Sequence, residues 1–247
     1  MQTELIKTAV QFLQTNKLLY LDMLECIRRN RAEIVYAKYE QSAMDGVLLY
    51  DVLSGSYMLA STQRVGAGMA LSLLGEKEIA KKSGWVVTRG DEARAEVYAR
   101  LNVTHETPVW QIAYLSKTPL AIKGDIRFEF ATREQIEWIK QNYDKESPEN
   151  IERLAAEKKI RCAFVGDDFV GFIGEHPEGS MGMLHVFPEH RRKGYAEALE
   201  SLLANEYIKQ DRIPYGHVVV GNEASIALQK KLGFQTAEEK VYWLREE

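Results

Sequence analysis

The stretch His185-Val-Phe-Pro-Glu-His-Arg-Arg-Lys-Gly-Tyr-Ala196 gathers the residue types best suited to chemistry in this chain. An apolar run ends at Pro188, the cations Arg191, Arg192 and Lys193 follow, and Gly194 precedes a helical pattern opened by Tyr195 and Ala196. A helix start leaves four backbone N–H groups without partners and carries about half a positive charge, so such a turn can hold a phosphate through main chain alone. Gly194 removes the Cβ that would block close approach, and the cations add local charge. The other reading of these residues is a basic helix start facing water. Local charge matters because the whole chain has 32 Lys and Arg against 36 Asp and Glu, a net −4. No global basic field exists to draw in nucleic acid or an anionic bilayer.

The elements around this turn occur twice. Apolar spacing predicts two helices in the first thirty residues, strands over 34–39, 47–52 and 57–60, a helix over 68–82, a strand over 85–88, a helix over 91–101 and a strand over 109–115. After a connector at 117–124, the second half opens with a strand over 126–130 and helices over 133–143 and 148–159. Strands over 162–165, 169–174 and 181–187 follow, then a helix over 191–209, a strand over 217–220, a helix over 223–232 capped by Asn222 and ended by Gly233, and a strand over 241–244. A chain of 247 residues accommodates two domains of about 120 residues. The pattern therefore points to an internal duplication, with domains over 1–124 and 125–247.

The second half resembles the Gcn5-related N-acetyltransferases. Val186, Pro188, Arg191, Gly194 and Ala196 match that superfamily's Val-x-Pro-x-x-Arg/Gln-x-x-Gly-x-Gly/Ala motif, and Asn222-Glu-Ala-Ser-Ile-Ala-Leu-Gln-Lys-Lys-Leu-Gly-Phe234 is similar to its second motif. Tyr215-Gly-His-Val, Asn222-Glu-Ala and Gly179-x-Met-x-Met183 further resemble the glycine N-acyltransferase branch. The resemblance implies an α/β (α+β) fold: two tandem domains, each a mixed, mostly antiparallel sheet flanked by helices, whose fourth and fifth strands splay to admit the pantetheine of coenzyme A. It implies acetyl-CoA as co-substrate, with no metal. Leu184 and Val186 would bond the pantetheine through their backbones, and Arg191, Arg192, Lys193, Gly194, Tyr195 and Ala196 would hold the pyrophosphate. Asn222 and Ser225 would bond the amides or a phosphate. The Leu184 N–H would polarise the thioester carbonyl, which is oxyanion stabilisation.

Attack by an amine on a thioester also needs proton transfer. The family's tyrosine acid falls at Gln229, and strand parity with Leu184 places its usual base positions at Ser180 and Gly182. His185 has the opposite parity and reads as packing. Two candidate bases remain: Glu175, for which a solvated strand end is the alternative, and His217, for which a structural histidine is the alternative. In the first half, Gln63-Arg-Val-Gly-Ala-Gly68 repeats the cradle pattern, with Tyr98 at the family's tyrosine offset after Asp91. The proline is missing there and Asp91 brings a carboxylate toward phosphate, so a degenerate repeat is expected.

Cys26 and Cys162 lie far apart in sequence without metal-ligand spacing, and no run approaches the ~18 apolar residues of a membrane span. The expectation is a cytoplasmic N-acyltransferase, monomer or homodimer, acetylating a primary amine of a small molecule or amino acid without nucleic-acid or membrane partners. A protein lysine or N-terminal acetyltransferase and a catalytically weak CoA-binding sensor are the competing readings.

Overall fold

The computed structural model describes residues 2–74 and 84–246. The first half runs α1 (Gln2–Leu13), α2 (Leu21–Arg28), a meander of β1 (Ala32–Lys38), β2 (Gly46–Asp51) and β3 (Ser56–Ala60), then α3 (Arg64–Ser72), β4 (Trp85–Arg89), α4 (Asp91–Arg100) and β5 (His105–Ala113). The second half adds a leading strand, β6 (Arg127–Phe130), and repeats the series. It has α5 (Arg133–Asn142), α6 (Pro148–Ala156), β7 (Ile160–Val165), β8 (Asp168–Glu175), β9 (Met181–Val186), α7 (Tyr195–Lys209), β10 (Tyr215–Val219), α8 (Glu223–Leu232) and β11 (Gln235–Arg245). The expected duplication is present. The helix expected over 68–82 starts earlier, at Arg64, and the part of that expectation over 75–83 lies outside the described residues.

Two compact units form: one from Met1–Ile112 with Val218–Asn222 and Thr236–Glu247, the other from Ala113–His217 with Glu223–Gln235. Strand order in the first is β1-β2-β3-β4-β11-β5. The chain's last strand thus enters the first unit's sheet, antiparallel to β4 from Val241↔Arg89 to Arg245↔Trp85. Strands β2 and β3 are buried on both faces, which explains their unbroken apolar runs. Val47, Leu49 and Met58 face one cluster with Phe12, Leu13 and Met23 of α1 and α2, while Leu48, Tyr57 and Leu59 face another with Ala67, Leu71 and Val97 of α3 and α4.

The second unit orders its strands β10-β9-β8-β7-β6. Ile139, Ile151 and Leu154 of α5 and α6 pack on Ile160, Cys162, Phe164 and Phe172. Local sequence fixes where those helices begin. Thr132 and Gln135 form a capping box at α5, and Ser147 caps α6 by accepting from the Asn150 N–H, with Pro148 next to it. Helix α7 packs on β8 and β9. Gly233, at φ +85°, ends α8 with the Phe234 N–H donating to the Gln229 carbonyl. No helix among the described residues is long and apolar enough to cross a membrane.

Candidate functional site

The basic segment forms the turn itself, and the helix expected from residue 191 begins at Tyr195. Pro188–His190 makes one 3-10 turn, Arg192 takes φ +62°, and Gly194 is the N-cap of α7 at φ +89° and ψ −1°. A left-handed residue here is natural for glycine and costly for others. No side chain caps α7, so its first N–H groups are left to solvent or a ligand. A Cβ on Gly194 would meet no atom within 4 Å, so the space before the helix is open. Arg191, Arg192 and Lys193 are exposed beside it, and the Arg191 Nε donates to the Val186 carbonyl at 3.0 Å, tying the turn to the end of β9. Tyr195 and Ala196 are half-buried in the first helical turn.

Strands β9 and β10 run parallel and share one register position, Gly216↔Met181, before they part. In the first unit the corresponding strands β3 and β4 stay paired at Tyr57↔Val86, Met58↔Val87 and Leu59↔Thr88. Among the described residues, the splay expected of both halves is thus confined to the second. Strand β9 also carries a bulge: Glu175↔Met181 and Gly174↔Gly182 are followed by Phe172↔His185 and Gly171↔Val186, with Met183 at φ +52°. Gly182 and His185 oppose alternate residues of β8 and therefore share a face, while Leu184 points to the other. The expectation that residue 182 shares a face with Leu184 is corrected by this extra residue. Leu184 and Val186 are half-buried on the stretch of β9 beyond its contact with β10.

The proton-bearing candidates have distinct surroundings. His185 packs as expected, its ring stacked on Phe172 at 5.6 Å and 19°, near Trp138, Tyr143 and Phe187. Burial and then the Arg191 charge hold its pKa below the ordinary value. His185, Trp138 and Phe187 border an open groove of about 560 Å³ that also takes in Phe169. Glu175 is 3% exposed at the end of β8. Its Oε2 accepts from the Tyr207 hydroxyl and the Arg212 Nη1, each at 2.7 Å. Burial raises its pKa, but Arg212, Tyr207 and Lys159 outweigh that and hold it low. Glu175 is therefore not the solvated strand end of the alternative reading. His217 is half-buried on β10, Ser225 half-buried in the first turn of α8, and Asn222 exposed just before that helix, its N–H donating to the Val219 carbonyl at 3.0 Å.

Two arrangements escaped sequence reasoning. Gln229 is 4% exposed, and its amide donates to the carboxyl of Glu200, also 4% exposed, which burial pushes up to about 7. A signal was available: Glu200 has Ala196, Glu197, Leu203 and Ala204 as its helical neighbours, and none is basic. The second arrangement is His176, in the turn between β8 and β9. Its Nδ1 lies 3.3 Å from the Glu146 Oε2, and a Cβ on Gly182 would fall 2.2 Å from its Nε2. Next to it, Glu178 is buried, accepting from the Ser180 hydroxyl at 2.5 Å, and its carbonyl accepts from the Tyr215 hydroxyl at 2.8 Å.

The first-half cradle is filled. A Cβ on Gly66 would lie 2.4 Å from the Asp45 carbonyl oxygen and 2.5 Å from the Ser61 Oγ, so the β1–β2 loop occupies the ground that is open at Gly194. The Tyr98 hydroxyl donates to Glu106 at 2.9 Å, and Asp91 accepts from Tyr242 at 2.7 Å. Cys26 and Cys162 are buried free thiols, both pushed up to about 12 by burial. Among the described residues no group of three or more His, Cys, Asp or Glu is arranged to hold a metal ion.

Residues 167–244 match the family model described as FR47-like protein. A solved Drosophila protein is similar over 100% of this chain and 97% of its own, at 14% identity and a TM-score of 0.67. A putative acetyltransferase of the GNAT family from Novosphingobium aromaticivorans shares 15% identity over 94% of this chain and 98% of its own, with a TM-score of 0.56. A GCN5-related N-acetyltransferase from Sphaerobacter thermophilus shares 15% over 81% and 80%, with a TM-score of 0.53. No curated protein is similar to the chain in sequence. At these identities the likeness establishes the fold, which is that of the Gcn5-related N-acetyltransferases, with its series of elements present twice.

Proposed function

We propose that the second unit binds acetyl-CoA and transfers the acetyl group to a primary amine of a small molecule or amino acid. One observation carries this reading: β9 and β10 part after Met181 and Gly216, and the strand that parts runs on into an uncapped helix start with open space at Gly194. A long ligand with an anionic end fits that sequence of features, because a parted strand offers backbone hydrogen bonds and the helix start offers N–H groups to phosphate. The pyrophosphate would be held by the main chain from Gly194 to Ala196 with Arg191, Arg192 and Lys193 around it, and Leu184 and Val186 would pair with the pantetheine. Ser225 and Asn222 flank the start of α8 with further polar groups.

Bound acetyl-CoA supplies an activated acyl carbon. The chain's contribution is to align it, with the Leu184 N–H donating to the carbonyl oxygen as charge develops there. Glycine-like acceptors are the narrower reading, in keeping with the resemblance of the Tyr215 and Asn222 segments.

The test is a thermal shift with acetyl-CoA, then a screen of glycine, phenylalanine, spermidine and a lysine peptide scored by thiol release above hydrolysis. A ligand at 100 times its dissociation constant stabilises by about 2.7 kcal/mol. No shift at millimolar acetyl-CoA refutes the reading. Turnover of the peptide alone favours protein acetylation, and tight binding without turnover favours a sensor.

A further inference from the structure

We infer that His176 is the general base that takes the proton from the acceptor ammonium, with Glu146 as its positioning partner; this rests on the acyl-transfer reading of the second unit. Residue 182 is glycine, on the face of β9 opposite the Leu184 side chain. The structure shows what fills the space instead: the His176 imidazole folds back from the β8–β9 turn until its Nε2 stands where a residue-182 side chain would begin. Gly182 is two residues from Leu184, the proposed donor to the thioester carbonyl. The glycine is thus required for the imidazole to be there.

The hydrogen bonding fixes the tautomer. Glu146, on the connection between α5 and α6, lies 3.3 Å from Nδ1, so Nδ1 carries the proton and donates, and Nε2 presents its lone pair. Among the described residues no protein group hydrogen-bonds Nε2, and the side chain is half-buried rather than sealed in the core. The charged and titratable groups around the ring are Glu146 from the helix connection, Glu178 in the same turn and Glu175 at the end of β8. Burial pulls the His176 pKa down, but the Glu146 hydrogen bond and the three carboxylates outweigh it, leaving it raised above 6.5. The other candidates are less suitable: Glu175 is engaged by Tyr207 and Arg212, and His185 is stacked among aromatic rings.

In the step, neutral His176 takes one proton from the ammonium, and the freed nitrogen lone pair forms the C–N bond to the acyl carbon. The C–S bond breaks with its electron pair on sulfur, and the thiolate takes the second nitrogen-bound proton. The products are an amide, a thiol and the proton that His176 returns to solvent.

The experiment compares the full-length wild type with His176→Gln, Glu146→Gln, Gly182→Ala and His185→Gln. With acetyl-CoA and the best acceptor of the four screened, wild-type kcat/KM should fall on the acid side through a value above pH 6.5. His176→Gln should lose about 10²–10⁴-fold and that limb with it. Glu146→Gln should move the limb to lower pH, and Gly182→Ala, which displaces the ring, should cost activity without removing the imidazole. Acetyl-CoA affinity should be unchanged in all four variants. A readout independent of turnover is the His176 Hε1 resonance, identified by its loss in His176→Gln, which should titrate above 6.5 and shift when acetyl-CoA is added. The inference is overturned if His176→Gln keeps wild-type kcat/KM within threefold, if the acid limb vanishes in His185→Gln instead, or if the His176 resonance ignores saturating acetyl-CoA. A wild-type chain that does not bind acetyl-CoA at all brings down the acyl-transfer reading, and the base assignment with it.

Discussion

Replacing Glu200 with glutamine should make the protein respond differently to alkaline pH. Glu200 is 4% exposed on α7 and has Gln229 of α8 as its hydrogen-bond partner. Burial pushes its carboxyl from an ordinary 4.5 up to about 7. The Oε1 of Gln229 is buried without a partner, an acceptor that a protonated Glu200 can satisfy and a carboxylate cannot. The sign follows from linkage. With the folded value raised, the contribution to stability is complete below pH 4.5 and is lost as pH rises through 7, because unfolding then releases a proton. Moving one carboxyl that far corresponds to about 3 kcal/mol over the full range, of which about 2 kcal/mol falls between roughly pH 5.5 and 8.5. Glu200→Gln keeps the size and the hydrogen-bonding shape and removes the titration. Melting curves of both proteins at the two pH values give the answer, since every other titrating group is shared. The variant should gain about 2 kcal/mol on the wild type, or roughly 4–8 °C in Tm, on going to the higher pH. If the difference between the two proteins stays constant within about 0.5 kcal/mol, Glu200 is not held neutral by its burial.

Gly194→Glu puts a strained left-handed residue and a negative charge into the open cradle, so calorimetry should show acetyl-CoA binding abolished, against one molecule per chain for the wild type. Gly66→Ala drives a methyl into the Asp45 backbone, and denaturant melts should show a loss of about 1–3 kcal/mol with acetyl-CoA affinity unchanged. Glu175→Gln strips Arg212 of its buried partner and should cost about 3–5 kcal/mol near neutral pH. The Glu175 pKa is depressed, so its contribution is present above the ordinary 4.5 and lost as pH falls through the folded value. The destabilisation measured by denaturant should therefore shrink in acid.

Local periodicity reports what a segment does on its own, and here it reached most helices and strands within a few residues. Leu199 and Tyr207 are buried on α7, and Gly233 stops α8 by the left-handed turn that glycine permits. The failures are non-local. Nothing in the composition of Gln235–Arg245 shows that it pairs with Trp85–Arg89, because that register is set by a strand far away in sequence. The bulge places its left-handed residue on Met183 rather than on a glycine, and it turns Gly182 to the face opposite Leu184 and so defeats parity reasoning about the base. His176 escaped for the same reason. Its partners Glu146 and Gly182 come from a helix connection and from the next strand, and only the fold brings the three together.

The two halves show how little a cradle motif decides alone. Each has a strand that leads into a helix start carrying the motif's glycine, Gly66 inside α3 and Gly194 as the N-cap of α7, and neither helix has a side-chain cap at its start. The outcomes differ because of what stands in front of the helix. At Gly194 there is open space and a left-handed turn, and the neighbouring strands have parted. At Gly66 the Asp45 backbone and Ser61 fill the approach, and β3 and β4 remain zipped at three successive positions. An anion needs the N–H groups and also the volume and a path to them. In the first unit the Ser61 hydroxyl donates to the Asp45 carbonyl at 2.8 Å and knits the loop to the segment that leads into α3, which keeps the approach closed. In the second unit the uncapped N–H groups of α7 face open space. That difference, rather than the match to a pattern of glycines, is the physical reason to expect one coenzyme per chain.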